Sequence, residues 1–390
     1  MGRDLRLLLL GAAHSLNHSL FVIAPPLLSI IMADLGVSNK VMGMVSMIAS
    51  FLYGFGALAG GPLGDKIGEA KTVMLFLLIS GFSTFIMLAA GAAKSLTFFT
   101  LALIFMAAGA SLYHPTANSL ISKTFSGRVS EAMGLHGVGG TIGVVFTPTV
   151  AWFIGSAFGW PIAFTAFGVV CIFFAFLFAK KFGFKNHEEE RRSAGSIIGA
   201  FKLRELWLLL IFNIAVGLFM KGVELYLPKY LQENRAVDPM WASIAYTLVL
   251  AFGVPGQWIG GKYSDKYGAK RMLVVASVGI CLGLIMLLFI PIYAFGIGFF
   301  IVLYGLFFYA HQPALNALTG FLSPENQRGA VYGVFFFTSF GIGSVSQLLS
   351  GYLADLYGFD VAFYVLTVFA LTALLLSFLL PDRREQNFSV

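Results

Sequence analysis

Long apolar segments alternate with short polar segments from one end of the chain to the other. Hydropathy predicts twelve membrane spans, numbered in chain order, at residues 6–33, 39–61, 72–92, 96–121, 129–156, 159–180, 205–231, 239–261, 271–292, 296–320, 329–354 and 359–380. A helix needs about 20 residues, at about 1.5 Å each, to cross the hydrocarbon core of a bilayer. The apolar runs are continuous and do not alternate in polarity, which disfavours a membrane β-barrel. The pattern therefore predicts an all-α membrane protein.

The composition agrees with this pattern. Of the 390 residues, 58% are hydrophobic and 11% are charged, whereas soluble domains carry about 25% charged residues. The first apolar segment, residues 5–35, is too long for a cleaved signal peptide and is interpreted as a span. Cys171 and Cys281 lie in separate apolar segments and predict no disulfide framework and no metal motif. Basic loops account for the net charge of +7, so no nucleic-acid partner is expected.

Basic residues are distributed unequally between the two sides of the predicted membrane. The side of the N-terminus carries Arg3, Arg6, Lys66, Lys71, Lys123, Arg128, the cluster within 180–204, Lys262, Lys266, Lys270, Arg271, Arg328, Arg383 and Arg384. The other side carries Lys40, Lys94, Lys229 and Arg235, and Lys221 falls on neither side. The positive-inside rule therefore predicts a multi-pass protein of the cytoplasmic (inner) membrane, with both termini and the middle loop in the cytoplasm.

Three short segments recur at an offset of roughly 200 residues and in the same order. GGPLGDKIGEAK (60–71) recurs as GGKYSDKYGAKR (260–271), YHPTANSL (113–120) as HQPALNAL (311–318), and FGWPIAF (158–164) as YGFDVAF (357–363). The copies fall on the same side of the membrane, which indicates a parallel repeat of two six-helix halves. The predicted organisation is an N-terminal bundle at 1–180, a cytoplasmic linker at 181–204 and a C-terminal bundle at 205–390.

The segment GPLGDKIGEAK after the second span, with its weaker copy GKYSDKYGAKR after the eighth, resembles the loop motif of the major facilitator superfamily. The resemblance covers the whole chain and implies twelve helices in two pseudo-symmetric six-helix bundles. It departs from the family pattern where Glu69 and Ala70 replace the usual basic pair. In that family the Asp of the motif latches the two halves together in the outward-facing state. The latch residues that the resemblance implies here are Gly61, Asp65, Lys66, Gly68, Lys71, Asp265 and Lys266.

The motif also has a direct physical interpretation. Gly61 and Gly64 predict a tight turn between packed helices, because glycine adopts backbone angles closed to other residues. The Asp65 carboxylate is suited to accept hydrogen bonds from the free N–H groups of a helix start.

A narrower resemblance concerns the first and fourth spans. HSLNHSLFVIAPPLLSIIMADLGVS and SLYHPTANS are similar to the fosmidomycin-resistance-like branch, which implies efflux of a drug or small solute. Proton-coupled drug antiporters usually carry an Arg in the fourth span about one turn before a Gly. The corresponding stretch here, ALIFMAAGA, has no Arg. The fifth span keeps glycines and Pro148 but lacks the rest of the antiporter pattern, which weakens the expectation of drug–proton exchange.

Polar residues inside the predicted spans concentrate in spans 1, 4, 7 and 10. In the family, these are the helices that line the central cavity. The predicted substrate and coupling residues are His14, Asn17, His18, His114, Asn118, Lys221, Glu224, Tyr309, His311, Gln312 and Asn316. Glu131 and His136 of span 5 are interpreted as packing and gate residues. Neither hydropathy nor the repeat requires this concentration, so it supports the family assignment independently.

Lys221 and Glu224 stand close to the middle of span 7. The centre of the span is taken as the point midway between Glu205 and Glu233. Lys221 lies about 3 Å beyond this centre along the helix, at 1.5 Å per residue. An ionised side chain at that depth costs about 2.5–3.5 kcal/mol, so it needs water or a partner. At a spacing of i, i+3 the two side chains share a helix face. They form either a structural ion pair or a site at which Lys221 binds an anionic group and Glu224 titrates.

The leading hypothesis is a secondary active transporter that moves a small anionic organic solute by alternating access, coupled to protons. The alternative is a transporter of transition metals or metal chelates that uses His14, His18, His114 and His311 as imidazole ligands. A lipid-binding or scaffold protein would not need four polar inner helices. No nucleotide loop, metalloprotease motif or nucleophile elbow is present, so no enzyme activity and no cofactor are expected. The expected partners are the solute, protons and the lipid bilayer, and the protein is expected to be a monomer.

Overall fold

The computed structural model of the protein describes residues 2–183, 203–324 and 327–382. Twelve of its helices are long and apolar enough to cross a membrane. Their bounds are Leu5–Leu35, Asn39–Ile67, Glu69–Ala92, Leu96–Thr124, Glu131–Phe158, Trp160–Phe182, Arg204–Arg235, Pro239–Tyr267, Ala269–Phe289, Tyr293–Leu322, Arg328–Tyr357 and Phe359–Leu379. These helices, here spans 1 to 12, confirm the predicted number and order of spans.

Several spans are interrupted near their middle. The pieces are Gly2–Val22 and Ala24–Leu35 in span 1, Glu69–Ser83 and Ile86–Ala92 in span 3, Leu96–Ser111 and Tyr113–Thr124 in span 4, and Pro239–Ala251 and Gly253–Tyr267 in span 8. Span 11 consists of Arg328–Phe337, a π-helical turn Thr338–Ile342, and Val345–Tyr357. In span 1 the break precedes Pro25 and Pro26, which cannot donate backbone hydrogen bonds to the preceding turn. Each break leaves backbone N–H and C=O groups without helical hydrogen bonds, and neighbouring polar side chains can supply the missing partners.

Four turns confirm the internal repeat at the level of backbone geometry. Gly68 and Gly268 both have positive φ, 94° and 99°, and join spans 2–3 and 8–9. Gly159 and Gly358, with φ of 94° and 86°, join spans 5–6 and 11–12. These angles are strained for any residue with a Cβ, so the same turn in each half requires glycine.

The prediction of a tight turn at Gly61 and Gly64 is wrong. Both residues lie inside the helix Asn39–Ile67, and the turn comes at Gly68. The reason is helix packing: a Cβ at Gly64 would lie 3.3 Å from the Thr116 side chain of span 4. Thr116 also donates a hydrogen bond to the Gly60 carbonyl at 3.0 Å. Glycine therefore serves here to bring two helices together, as it commonly does in membranes.

Hydrogen bonds hold the two halves together on the face opposite the chain ends. Asp355 of span 11 accepts three of them, from the Asn39 N–H, the Asn39 side chain and the Lys40 N–H, at 3.0, 2.9 and 2.8 Å. Other contacts between the halves are Ser29–Gln232, Tyr226–Asn39, Ser243–Pro148, Thr149–Thr247 and Ser344–Met47. All but Ser344, which lies near the middle of span 11, are in the far part of their spans, so the halves are closed against each other on that face.

The outward surface of the bundle is apolar, as a lipid-facing surface should be. Phe146, Phe176 and Leu375 are 63%, 66% and 68% exposed on spans 5, 6 and 12. In a water-soluble monomer such large exposed apolar surfaces are rare. Span 6 ends at Phe182 and span 7 begins at Arg204, on either side of the predicted linker. Most of that linker, 184–202, lies outside the described residues.

Candidate functional site

The predicted site residues fall into two separate groups and several single positions. One group is a cluster of imidazoles in the N-terminal half, from spans 1, 4 and 5. The other is the Lys221–Glu224 pair on span 7 of the C-terminal half. Three aromatic rings lie between them, from spans 2 and 11.

Lys221 is an almost fully buried ammonium group. Its Nζ lies 2.7 Å from Glu224 Oε2, and the two side chains are 2% and 24% exposed. The same Nζ lies 4.4 Å from the centroid of the Phe340 ring, a cation–π distance. The sequence expectation that the two charges meet on one helix face is thus met. Glu224 is the partner that remains partly accessible.

Glycines allow span 7 to approach span 11 closely at this level. A Cβ on Gly217 would come within 2.6 Å of the Ser339 carbonyl oxygen of span 11. One on Gly222 would come within 2.9 Å of the Ser350 hydroxyl of span 11 and 2.5 Å of Leu366 of span 12. Asn213, one turn earlier, donates to the Phe335 carbonyl at 2.7 Å and accepts from Ser339 at 2.8 Å. Its amide thus joins span 7 to span 11 at the π-helical turn Thr338–Ile342. Such turns are frequent at functional sites.

The imidazole cluster is held by a chain of hydrogen bonds. His14 Nδ1 lies 2.8 Å from the His136 carbonyl oxygen, and His14 Nε2 lies 3.0 Å from His18 Nε2. The His14 and His136 rings stack at 4.0 Å with an interplanar angle of 11°. Tyr113 OH lies 2.8 Å from His136 Nε2 and 2.7 Å from the Leu10 carbonyl. The His114 ring lies 5.2 Å from both His14 and His18.

The network assigns the positions of the ring protons. A carbonyl only accepts, so His14 carries its proton on Nδ1 and presents a lone pair on Nε2. His18 then donates from Nε2 to that lone pair. Tyr113 donates its single proton to the Leu10 carbonyl and accepts from His136 Nε2. His114 Nε2 is buried and has no hydrogen-bond partner among the described residues.

Tyr53, Phe336 and Phe340 connect the two groups across the interface between the halves. The His114 ring lies 5.5 Å from Phe336, which stacks on Phe340 at 4.5 Å. Tyr53 of span 2 lies 5.4 Å from each of these two phenylalanines. The path from His114 to the ring that covers Lys221 is therefore aromatic throughout.

The remaining predicted residues take different positions. Asn17 is buried, donates to the Ala110 carbonyl at 2.8 Å and accepts from Tyr53 OH at 2.9 Å. His311 is buried in the C-terminal half and its Nδ1 contacts the Phe308 carbonyl of its own helix. Gln312 accepts from Gln257 of span 8 at 3.3 Å. The half-buried Tyr309 packs on Gly253, whereas Asn118 and Asn316 are exposed towards the ends of spans 4 and 10.

The predicted latch residues lie at the ends of spans 2 and 8. Asp65, Lys66, Asp265 and Lys266 are exposed and occupy the last helical turns before Gly68 and Gly268. Asp65 is thus at the end of its own helix, and the expectation that it accepts hydrogen bonds from a helix start stays a prediction. Gly61 faces Pro115 of span 4, and Lys71 is half-buried in the first turn of span 3.

Glu69 has a structural role that the sequence did not reveal. It is 2% exposed, forms an ion pair with Lys123 and accepts a hydrogen bond from Ser119 at 2.9 Å. A residue that departs from the family pattern thus joins span 3 to span 4.

Sequence reasoning also missed His136, Tyr53, Phe336 and Phe340 as neighbours of the candidate site. The interpretation of His136 as a packing and gate residue does not include its contact with His14, which its ring and its carbonyl hold in place. A spacing of three or four residues between polar groups does not predict these neighbours, because they lie on spans 5, 2 and 11 and contact residues of other spans.

Comparisons with known proteins agree with the fold. A family model described as Major Facilitator Superfamily matches residues 7–347. The chain is similar to a probable sulfoacetate transporter of Cupriavidus necator, with 26% identity over 93% of this chain and 91% of the relative. It is similar to the fosmidomycin resistance protein of Escherichia coli, with 22% identity over 74% of this chain and 71% of the relative.

A solved structure supports the same fold. The crystal structure of a bacterial homologue of the human lysosomal transporter Spinster, in an inward-facing and unoccupied conformation, matches with a TM-score of 0.79. The identity is 16%, and the match covers 97% of this chain and 96% of the other. These relatives are transporters, which agrees with the expectation that the chain is not an enzyme.

Proposed function

The chain belongs to the major facilitator superfamily, and we propose that it couples proton movement to transport of a small anionic organic solute. The observation that carries the proposal is the buried ammonium of Lys221, near mid-span and paired with a carboxylate that is 24% exposed. Members of the family are secondary transporters, so the solute class and the coupling are what the proposal adds.

Lys221 has the properties of an anion-binding group. Its side chain is 2% exposed, and Phe340 covers one face of the ammonium. In surroundings of low dielectric constant, an ammonium attracts an anion far more strongly than in water. A carboxylate, sulfonate or phosphonate that displaces Glu224 would therefore gain a charge-assisted hydrogen bond.

Charge balance links the solute to a proton. Without solute, Lys221 and Glu224 neutralise each other. A bound anion adds one negative charge, and protonation of Glu224 restores neutrality. Solute and proton then favour each other's binding by the same factor, as thermodynamic linkage requires. This mechanism moves the two in the same direction, and the direction follows their combined gradients. Efflux in exchange for protons would require that solute and proton weaken each other's binding.

The names of the relatives favour an anionic solute. Sulfoacetate carries a sulfonate and a carboxylate, and fosmidomycin carries a phosphonate. The alternative of metal transport has less support, because His311 lies in the other half, against its own helix, and not with the other three histidines. Neither of these relatives is named for a metal.

Alternating access and membrane orientation complete the proposal. The hydrogen bonds around Asp355 close the face opposite the chain ends, and the proposed latch at the exposed Asp65 closes the other face in the alternative state. The excess of basic residues on one side supports chain ends in the cytoplasm and a location in the cytoplasmic (inner) membrane. All groups of the candidate site come from one chain, so a monomer suffices.

The proposal is tested with purified protein in liposomes. Sulfoacetate and fosmidomycin, as probes, should raise the melting temperature, and a neutral sugar alcohol of similar size should not. Uptake of the stabilising anion should increase with a proton gradient of the same direction and should acidify the lumen. Equal stabilisation by the neutral compound, or transport that ignores the gradient, would contradict the proposal.

A further inference from the structure

We propose that His14, His18 and His114 form a binding site for one divalent transition-metal ion, such as Zn²⁺. The ion would be resident in the N-terminal half and is not the transported solute. The site does not depend on which solute the protein carries.

The ligand geometry is close to that of a metal centre. One ring nitrogen from each of the three residues lies within 4.8 Å of the other two. His14 Nε2 and His18 Nε2 are 3.0 Å apart. In a tetrahedral site with Zn–N distances of about 2.0–2.1 Å, ligand nitrogens lie about 3.3 Å apart. The first two histidines are therefore already at ligand spacing, and on binding the ion His18 carries its proton on Nδ1 instead of Nε2. His114 has to move inward by up to about 1.5 Å.

The hydrogen bonds of His14 prepare it to bind a metal. Its Nδ1–H is held by the His136 carbonyl at 2.8 Å, so Nε2 points its lone pair towards His18. A ligating histidine almost always donates its other N–H to a carbonyl, carboxylate or water in this way. The stacked ring of His136 fixes the orientation of the His14 imidazole.

His114 supplies the second, independent observation. Its Nε2 is buried without a hydrogen-bond partner among the described residues. Its ring lies 5.2 Å from those of both His14 and His18. A buried nitrogen is normally paired, and one left free beside two other imidazoles is explained if it binds an ion.

The ligand type identifies the class of metal. Neutral imidazoles suit Zn²⁺, Cu²⁺, Ni²⁺ and Co²⁺, whereas Mg²⁺ and Ca²⁺ prefer oxygen ligands. Three histidines leave the fourth tetrahedral position to water. Affinity should therefore be high for Zn²⁺ and Co²⁺ and negligible for Mg²⁺.

The test uses full-length protein from which any polyhistidine tag has been removed and which has been treated with a chelator. Titration with Zn²⁺ should show one ion per chain with micromolar or tighter affinity, and Co²⁺ should give the visible absorption of a tetrahedral complex. His114→Gln should weaken binding by about 10-fold or more. This substitution breaks no hydrogen bond at Nε2, so the variant should fold, which its elution volume and melting temperature will verify.

His18→Gln provides a second variant, because within the described part of the chain its ring is hydrogen-bonded to His14 alone. His311→Gln is the matched control, since this buried histidine lies outside the cluster, and it should bind Zn²⁺ like the wild type. The inference is overturned if the wild type binds no stoichiometric ion. It is equally overturned if both cluster variants bind as tightly as the wild type, or if the control loses as much affinity as they do.

Discussion

The imidazole cluster and the Lys221–Glu224 pair are near neighbours across one interface, but they differ in how their polar groups are satisfied. In the cluster, carbonyls, a tyrosine and other imidazoles hold the rings, and the partners are fixed by backbone geometry. In the pair, a buried ammonium depends on a single carboxylate that is 24% exposed. The first arrangement resists change, whereas the second can exchange its partner for a solute.

This difference favours a division of labour between the halves. The C-terminal half offers a charge that responds to solute and protons. The N-terminal half offers a rigid wall, extended across the interface by Tyr53, Phe336 and Phe340. Four substitutions would break or sharpen this comparison.

The largest effect should follow Lys221→Ala. A hydrogen bond to a charged group is worth about 1.5–3 kcal/mol, and losing it should reduce solute affinity and transport by about 100-fold. Uptake of labelled solute into liposomes measures this. Lys229→Ala is the matched control, because Lys229 is another buried, paired lysine of span 7, bound to Glu233 near the far end of the span. Equal losses in both variants would show that any broken ion pair in this helix stops transport.

The next effect concerns Glu224→Gln. The amide still accepts from Lys221, but it cannot take up a proton. Solute exchange without a gradient should persist, whereas accumulation driven by a proton gradient should fall by about 10-fold, or about 1.4 kcal/mol of coupling. Measuring exchange and gradient-driven uptake on the same liposomes separates these quantities. A variant that accumulates solute like the wild type would assign the coupled proton to another group.

The sequence predicted the fold well because the bilayer simplifies the problem. Twelve apolar segments of sufficient length, one repeat and an asymmetry of basic residues determine the spans and their pairing. The same pattern failed at Gly61 and Gly64, where glycine allows close helix packing instead of a turn. Local sequence cannot distinguish a glycine in a turn from a glycine at a helix contact, because the difference depends on what lies opposite the glycine.

The candidate site was predictable only in part. Lys221 and Glu224 share one helix, so their i, i+3 spacing sufficed to predict contact. The stacking of His14 on His136, the ring of Phe340 over Lys221 and the pairing of Glu69 with Lys123 join different spans. Those contacts depend on the rotation of each helix about its axis, which hydropathy does not specify.

A smaller effect is expected for Asp65→Asn. A carboxylate in the last turn of a helix opposes the helix dipole and costs about 0.3–1 kcal/mol, so Asp65 does not serve to stabilise its own helix. The asparagine should leave the melting temperature unchanged or slightly higher, while transport falls about 5-fold, or about 1 kcal/mol. Asp265→Asn, at the same position of the second copy, tests whether one half or both supply the latch. Transport at the wild-type rate in both variants would show that the motif only forms the turn between two spans and is not a latch.

The smallest effect on transport is expected for His136→Gln, measured in the presence of a chelator. This substitution removes the hydrogen bond to Tyr113 and the stack on His14, but it keeps the carbonyl that holds His14 Nδ1. The loss should lower the free energy of unfolding by about 1–2 kcal/mol, because a buried tyrosine is left without its donor. Transport and its dependence on the proton gradient should stay within about twofold of the wild type. His18→Gln, on the half-buried side of the cluster, should behave alike if the N-terminal half is a rigid wall. A loss of gradient-driven uptake in His18→Gln, with exchange preserved, would place the coupled proton on the histidines and reverse the roles of the two halves.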